Sequence, residues 1–461
     1  MKIQVLATPP GGIASISGYL KKRGIKTNLV YYRDERDFDY TQNKIHSFSP
    51  KIIGFYSTSS NWKTVKYLSK QIRKQHPKLF QIYGGIHAIL APKTIKKIET
   101  LNAICVGYGE EPLLELAGNI DTQKENSEVK GIWLREQIGS DEIIKKSPYF
   151  PEKNPDEYLY FDHLIFLKEL SRFDNFDYNS YKLEIIFNRG CPFPCTFCCN
   201  SKLKEIFNGR TFVPSPKASI DSLVRSLKRT GLKSVEIHDD ILTLDKKWFR
   251  EFISLYKEKI KASFICNLRI GTFNEEDVRL LKEANVSTVW IGIESGNNYI
   301  RNQVMKKHIS LYQINEAFRW LHKYKIRTII QNIIGVPYEK PKHFIDTIYL
   351  NAQLQPTNYL LSVFYPYPET ELYNISIEKG WFKDNSNIKE RTEPVLNSSY
   401  FPKDQVRFYF NNFRRLVKYQ SRRYKNPFFY ILPLKHCTSF LIVKITLIFK
   451  KICVLKAYLF T

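Results

Sequence analysis

Three cysteines, Cys191, Cys195 and Cys198, are spaced by three and then two residues in Cys191-Pro-Phe-Pro-Cys195-Thr-Phe-Cys198, just after the apolar run Leu183-Glu-Ile-Ile-Phe187. A loop of clustered thiols at the end of a strand suits one iron–sulfur cube, which normally takes four cysteine thiolates. Three ligands leave one iron open to a small molecule, and an open position on a metal centre means chemistry. A zinc ribbon needs two paired CxxC knuckles, and no second pair is present. Two plainer readings stand beside this one: cysteines buried as small hydrophobes, or a structural zinc to which Cys199 adds a fourth sulfur. Cys199 adjoins Cys198, so its side chain is expected to point elsewhere, as a bystander.

Such a loop needs a scaffold. From Lys182 onward six strands, near 183, 234, 263, 286, 327 and 359, alternate with helices over 216–230, 246–260, 274–284, 311–324 and 341–354. This predicts a partial (β/α)6 barrel, with its site at the carboxyl ends of the strands. Polar residues recur there: Asp239 and Asp240 after the second strand, Asn267 and Arg269 on the third, Glu294 ending the fourth, and Gly335 after the fifth. Asp245 reads as a helix N-cap.

The N-terminal third also alternates, with strands at 3–7, 26–32, 52–56, 80–83 and 103–106 and helices at 16–23 and 64–75. Near-continuous apolar strands between helices predict an α/β, Rossmann-like, doubly wound parallel sheet. Ligands bind such sheets at the strand carboxyl ends. Those loops hold Pro10, then Ser57 and Ser59, then Gly84, Gly85 and His87, then Gly109 and Glu110. No GxGxxG occurs, which argues against a dinucleotide. The expected domains are a Rossmann-like unit at 1–125, a connecting segment at 126–180, a barrel at 181–375 and a basic, mostly helical region at 376–461.

The CxxxCxxC motif with Phe197 before its last cysteine resembles the radical S-adenosylmethionine family, over about 185–375. The resemblance implies a [4Fe–4S] cluster on Cys191, Cys195 and Cys198. The methionyl amine and carboxylate of S-adenosylmethionine chelate the fourth iron in that family. An electron, from a low-potential donor such as flavodoxin or ferredoxin, then cleaves the sulfonium to a 5′-deoxyadenosyl radical. Asp239 and Asp240 stand in place of the usual GGE turn for the amine, Asn267 lies in the same site, and Ile333-Ile-Gly335-Val-Pro337 would flank adenine. Glu294, in IGIESG, would hold the ribose, since a carboxylate accepts from both hydroxyls of a diol.

In the N-terminal third, the Pro-Pro turn, the Ser-rich loop, GGxHA and GxGEEP resemble the cobalamin-binding domain fused to many members of that family. This implies cobalamin over the strand ends, with Pro10, Ser57, Ser59, Gly84, Gly85, His87, Gly109 and Glu110 as contacts. The DxHxxG loop that supplies a histidine to cobalt elsewhere is absent, so that lower ligand would be missing. His87 is expected to hydrogen-bond a corrin side chain or its own loop.

With both cofactors, the implied reaction is methylation of an unactivated carbon (or phosphorus) of a small-molecule or lipid-like substrate. The deoxyadenosyl radical takes a hydrogen atom, the substrate radical takes a methyl from methylcobalamin, and a second S-adenosylmethionine remethylates cobalt. Ring closure or rearrangement, with the cobalamin domain used differently or degenerate, is the alternative within the family. A non-catalytic, metal-binding basic scaffold is the alternative outside it.

Composition bounds the rest. At 461 residues, 43% hydrophobic and 14% aromatic, the chain is folded and multidomain. Four of its eight cysteines fall within 191–199, which implies a reducing, cytoplasmic compartment rather than a disulfide framework. The net charge of +26 favours anionic partners, and residues 401–461 hold thirteen Lys or Arg against Asp404 alone. A helix over 404–424 carries Val406, Phe410, Phe413 and Leu416 at helical spacing, and Leu, Ile and Phe mix with Lys over 428–461. The expected roles are a helical cap over the substrate end of the barrel or peripheral contact with anionic membrane. No RNA-binding module is recognisable, so no nucleic-acid partner is expected. No uncharged apolar run reaches the length of a transmembrane helix.

Overall fold

The apolar runs form strands where the alternation places them. In the computed structural model, which describes residues 2–7, 11–59, 61–126, 128–383 and 390–425, two sheets lie in sequence. The first contains β1 (Lys2–Ala7), β2 (Lys26–Tyr31), β3 (Ile52–Tyr56), β4 (Phe80–Gly84) and β5 (Ala103–Cys105), paired in parallel in the order β2-β1-β3-β4-β5. Ile52, Ile53, Ile82, Tyr83 and Ile104 are all buried, as strands covered on both faces require. The helix after β1 spans Gly11–Lys21, earlier than expected, because Gly11 and Gly12 form its first turn instead of a loop.

The segment after 125 is more than a connection. β6 (Ile132–Arg135) pairs antiparallel with β5, and β7 (Ile143–Ile144) with β6, extending this sheet to seven strands. An antiparallel addition at the edge of a parallel sheet leaves the parallel core intact. Further on, Tyr158, Leu159, Phe161 and Phe166 are buried, and Leu159, Phe161 and Phe166 join a core shared by both sheets.

The second sheet is wholly parallel and strictly sequential: β8 (Leu183–Ile185), β9 (Ser234–Ile237), β10 (Ser263–Leu268), β11 (Val286–Glu294), β12 (Arg327–Ile334) and β13 (Asn358–Val363). Helices between successive strands give the open, six-stranded barrel expected from the sequence. Their starts are locally encoded. Ser215 caps the helix Pro216–Thr230 through Ala218 N–H, Asp245 caps Lys246–Lys259 through Trp248 N–H, and Ser310 and Gln313 form a capping box on Leu311–Lys323.

The C-terminal helix Lys403–Lys425 brings Val406 against the Gly335 loop at the carboxyl end of β12, where a Cβ on Gly335 would meet it at 3.3 Å. It packs along the helix Pro341–Leu354 and β13, with Val406, Tyr409, Phe413, Leu416 and Val417 buried against Ile334, Phe344, Ile348 and Val363. The unpaired edge at β13 supplies the reason, since an exposed edge strand needs covering. The Lys-rich stretch 428–461 lies outside the described residues. Among those described, no helix is long and apolar enough to cross a membrane.

Candidate active site between the two sheets

The cysteine loop is held from both sides. Beneath it, Asp239 at the end of β9 accepts from Phe187 N–H (2.7 Å) and from Asn188 Nδ2 (2.8 Å), fastening the end of β8 to its neighbour. Above it, Thr196 donates through Oγ1 to Val304 O (2.7 Å) and through N–H to Met305 O (3.2 Å). Those carbonyls belong to a π-helical turn, Ile300–Val304, and its C-cap. This turn is anchored by the buried Arg301, which donates to the carbonyls of Ser295, Gly296 and Ile309. Arg269 lies 3.5 Å from the Phe193 ring centroid and donates to the carbonyls of Ile270 and Lys307.

Within the loop the three thiols sense one another. Burial raises the Cys191 pKa to about 12 and also raises Cys195, whereas Lys307 and Arg269 pull Cys195 down. A coordinated metal reverses such a burial effect, because it deprotonates a bound thiol outright. Cys199 differs from expectation. Its thiol shares a hydrogen bond with that of Cys198, because Cys198 is the extended N-cap of the helix Cys199–Ile206 and the chain turns there. Among the described residues no three His, Cys, Asp or Glu side chains converge on a single ion. A cubane makes no such demand, since each thiolate binds a different iron corner. Three thiols on one loop, under two cationic side chains, fit a cluster with a net negative core.

The two adjacent aspartates part company. Asp239 is fully buried under the loop, and burial raises its pKa to about 7. Asp240 is exposed, accepts from Asn200 Nδ2 at 2.6 Å and lies near Cys191, Cys198 and Cys199. Of the expected amine-binding pair, only Asp240 thus faces the thiols. Asn267 donates to the carbonyl of Asp239 (3.1 Å). Glu294 ends β11 with φ of +67° and accepts from Lys307 Nζ at 2.9 Å, both side chains being buried. Lys307 Nζ is 6.0 Å from the centroid of the Phe197 ring. Gly292 makes this possible: a Cβ there would stand 2.1 Å from Glu294 Oε1. At the end of β12, Gly335 (φ +81°) donates its N–H to Glu339 Oε2 at 2.6 Å. Glu339 is fully buried, and desolvation raises its pKa to about 8.

Facing this loop is an open cleft at the carboxyl ends of the first sheet, with Gly12, Gly84, Gly85, Gly107, Gly109 and Glu110 on one wall and Arg189, Leu203 and Phe207 on the other. A Cβ at Gly12 would meet nothing within 4 Å, and one at Gly84 only Cys105 at 3.7 Å. At Gly12 and Gly84 glycine keeps space open, as a cradle for a large planar ligand with a nucleotide tail requires, whereas at Gly85 and Gly107 it relieves contact with Tyr56 and Tyr149.

Four expected cobalamin contacts, Gly84, Gly85, Gly109 and Glu110, line this cleft. Three others are engaged elsewhere. His87 is buried with Nδ1 on Ser59 Oγ and Nε2 on Thr94 Oγ1, each at 3.0 Å, and Ser57 Oγ pairs with Tyr83 OH at 2.8 Å. The partners of His87 thus lie in the loop after β3 and in the helix Thr94–Lys97, outside its own Gly84–Ala88 loop, and burial lowers its pKa to about 4. Pro10 lies outside the described residues.

Sequence reasoning missed the residues that join the halves. Arg189 donates from Nη1 (3.0 Å) and Nη2 (3.1 Å) to Glu110 Oε1, and from Nη2 to Ser15 Oγ (3.0 Å). The signal was an arginine two residues before the first cysteine. Thr58 Oγ1 donates to Glu390 Oε2 at 3.5 Å, a second bridge. Nothing local in the sequence pointed to Glu390, Arg391 or their partner Tyr367.

Comparison with known proteins agrees with this geometry. The family model of the radical SAM superfamily matches residues 185–350, and that of the B12 binding domain matches 5–117, together more than half of the chain. An uncharacterized methyltransferase of Pyrococcus horikoshii is 25% identical over 86% of this chain and 85% of its own. The anaerobic magnesium-protoporphyrin IX monomethyl ester cyclase of Rubrivivax gelatinosus is 24% identical over 79% of this chain and 66% of its own. Among solved structures, the radical S-adenosylmethionine methyltransferase TsrM of Kitasatospora setae has a TM-score of 0.66 at 14% identity, covering 88% of this chain and 83% of that one. The cobalamin-dependent S-adenosylmethionine radical enzyme OxsB has 0.63 at 17% identity, covering 92% and 61%. At these identities the structural likeness shows the fold. The cofactors that go with the two matched domains are a [4Fe–4S] cluster, S-adenosylmethionine and cobalamin. The chain belongs to the radical S-adenosylmethionine enzymes that carry a cobalamin-binding domain, a methyltransferase-like family.

Proposed function

We propose that this enzyme methylates an unactivated carbon (or phosphorus) of a small-molecule or lipid-like substrate lodged between the two sheets. The observation that carries this reading is the cleft itself. The glycine-lined strand ends of the first sheet and the cysteine loop of the second face one another, joined by Arg189 and Glu110.

Cys191, Cys195 and Cys198 would hold the cluster. Asp240 would accept the amine of S-adenosylmethionine, Glu294 its ribose, and the Gly335 loop its adenine, with Phe197 and Asn267 beside them. Gly84, Gly85, Gly109 and Glu110 would hold cobalamin. When bound, the cluster and S-adenosylmethionine supply a 5′-deoxyadenosyl radical and cobalamin supplies a transferable methyl group. The chain's own residues orient these groups toward one space. Arg269 and Lys307 place positive charge beside the thiol loop, and buried Asp239 fixes the strand from which the loop departs.

TsrM is a methyltransferase solved with cobalamin and a [4Fe–4S] cluster, and separately with its tryptophan substrate, which supports a small-molecule substrate here. The curated relatives also include a cyclase, hopanoid methylases and a cytidylyl-2-hydroxyethylphosphonate methyltransferase. Ring closure is the second reading, favoured by the cyclase relatives. We place the enzyme in a reducing, cytoplasmic compartment, supplied with electrons by a flavodoxin or ferredoxin.

The test is anaerobic reconstitution. The enzyme should take up about four irons per chain and form 5′-deoxyadenosine from S-adenosylmethionine and reductant, and Cys198→Ala should form none. Zinc in place of iron would overturn the reading.

A further inference from the structure

We propose that Arg391 receives an oxyanion of the substrate, a carboxylate or phosphate group, and so sets the substrate class as anionic. This rests on the reading of the cleft as a small-molecule active site. Arg391 stands where the two halves meet. Its carbonyl accepts from Val363 N–H at 2.8 Å, fixing it at the end of β13. Its neighbour Glu390 is bonded by Thr58 of the first sheet's Ser57–Ser59 loop. On the other side its guanidinium lies close enough to Cys199, beside the cluster loop, for their charges to interact.

The guanidinium is held along one edge and open along the other. Nε and Nη2 both donate to Tyr367 OH, at 3.1 and 3.0 Å, and Nε lies 3.4 Å from Glu390 Oε1. Tyr367 OH in turn donates to Glu390 Oε1. Glu390 is 14% exposed and consumed by these contacts, whereas the Arg391 side chain is 64% exposed, with no partner for Nη1 among the described residues. A planar fork fixed on one edge and free on the other is suited to bidentate binding of a carboxylate or phosphate.

The other cations of the site are committed. Arg189 is bonded to Glu110 and Ser15, Arg269 to two carbonyls, and Lys307 to Glu294. Arg269 and Lys307 are also buried. Among the described residues, Arg391 is a cation at this junction with a solvent-facing donor edge.

The test uses the anaerobically reconstituted holoenzyme, methyl-deuterated S-adenosylmethionine, and a bacterial metabolite extract split by ion exchange into anionic and non-anionic fractions. The anionic fraction should stimulate 5′-deoxyadenosine formation. In Arg391→Gln the amount of it needed for half-maximal rate should rise about 30-fold, the effect of losing a charge-assisted hydrogen bond, with Arg391→Lys intermediate. An independent readout is inorganic phosphate. It should raise the melting temperature of the wild-type protein more than that of Arg391→Gln. Stimulation by the non-anionic fraction, an unchanged half-saturation in a folded Arg391→Gln protein, or equal phosphate shifts in both proteins would overturn the proposal. Should Arg391→Gln fail to fold, Arg391→Lys decides by the same readouts. Stimulation by the anionic fraction without deuterium transfer would refute methylation and leave the Arg391 assignment standing. Deuterium transfer into a neutral product would do the reverse.

Discussion

Arg189, two residues before Cys191, donates twice to Glu110, at the mouth of the glycine-lined cleft, 79 residues earlier in the chain. Glu110 is 2% exposed and Arg189 18%, so the pair is largely withdrawn from water. Arg189 also lies over the rings of Tyr108 and Phe212, with its own backbone paired to Phe212. One side chain thereby ties the cleft to the loop that carries the cysteines.

Removing one partner leaves a buried charge uncompensated, which costs about 3 kcal/mol. Glu110→Ala should lower the chemical denaturation midpoint accordingly and reduce cobalamin retained per chain. Arg189→Ala should do the same. The double variant should be less destabilised than the sum of the two, the signature of direct coupling. Additive losses would show that the pair does not act as a unit.

Gly12 separates cofactor binding from stability. A Cβ there would meet nothing within 4 Å, Gly12 lines the cleft, and replacing a helical glycine favours the helix by up to about 1 kcal/mol. Gly12→Ala should leave the melting temperature unchanged or raised. Gly12→Val should fold and yet retain less cobalamin, read from the absorbance spectrum of the purified protein. Full cobalamin retention in Gly12→Val would remove this cleft as the cofactor's seat.

Gly292 controls the carboxylate assigned to the ribose. Because a Cβ there would overlap Glu294 Oε1, Gly292→Ala should displace Glu294 and disturb its ion pair with Lys307. S-adenosylmethionine affinity, measured by equilibrium dialysis on the reconstituted protein, should fall at least tenfold, ~1.4 kcal/mol. An unchanged affinity would show that Glu294 does not hold the ligand.

Buried histidines set the acid side of the stability profile. Burial lowers His87 and His163 from 6.5 to about 4. Between those values the unfolded chain binds protons that the folded chain refuses. The stability they contribute is therefore present above pH 6.5 and lost as pH falls toward 4, by up to about 1.4 kcal/mol per pH unit for each. Asp239 and Glu339, whose pKa values burial raises to about 7 and about 8, act in the opposite sense over this range. The readout is therefore a difference: the melting temperature of His87→Gln minus that of the unaltered protein should rise from pH 7 to pH 5. A difference that does not change with pH would mean that His87 is protonated in the folded protein.

Much of this architecture was legible because it is local. Runs such as Ile52-Ile53 and Ala103-Ile-Cys-Val106 are apolar throughout, as a doubly covered strand requires, and Ser215, Asp245 and Ser310 announce their helices. The cysteine spacing is likewise local. The aspartate pair was legible as a strand end but not as a choice between its members. Both lie beyond Ile237, the last residue of β9, so the turn of the chain after the strand, and not strand alternation, puts Asp239 under the loop and Asp240 toward the thiols. Residue type alone could not show that His87 turns inward to Ser59 and Thr94, since that depends on packing behind the loop. The Arg189–Glu110 and Thr58–Glu390 bridges depend on how the two sheets dock, and sequence periodicity does not encode that.

The most direct test of the central claim is product analysis of the reconstituted, cobalamin-loaded enzyme supplied with S-adenosylmethionine, reductant and the stimulating metabolite fraction. The account predicts that 5′-deoxyadenosine and S-adenosylhomocysteine form together, with a substrate-derived product one methyl group heavier. Formation of 5′-deoxyadenosine with neither S-adenosylhomocysteine nor a methylated product would contradict it.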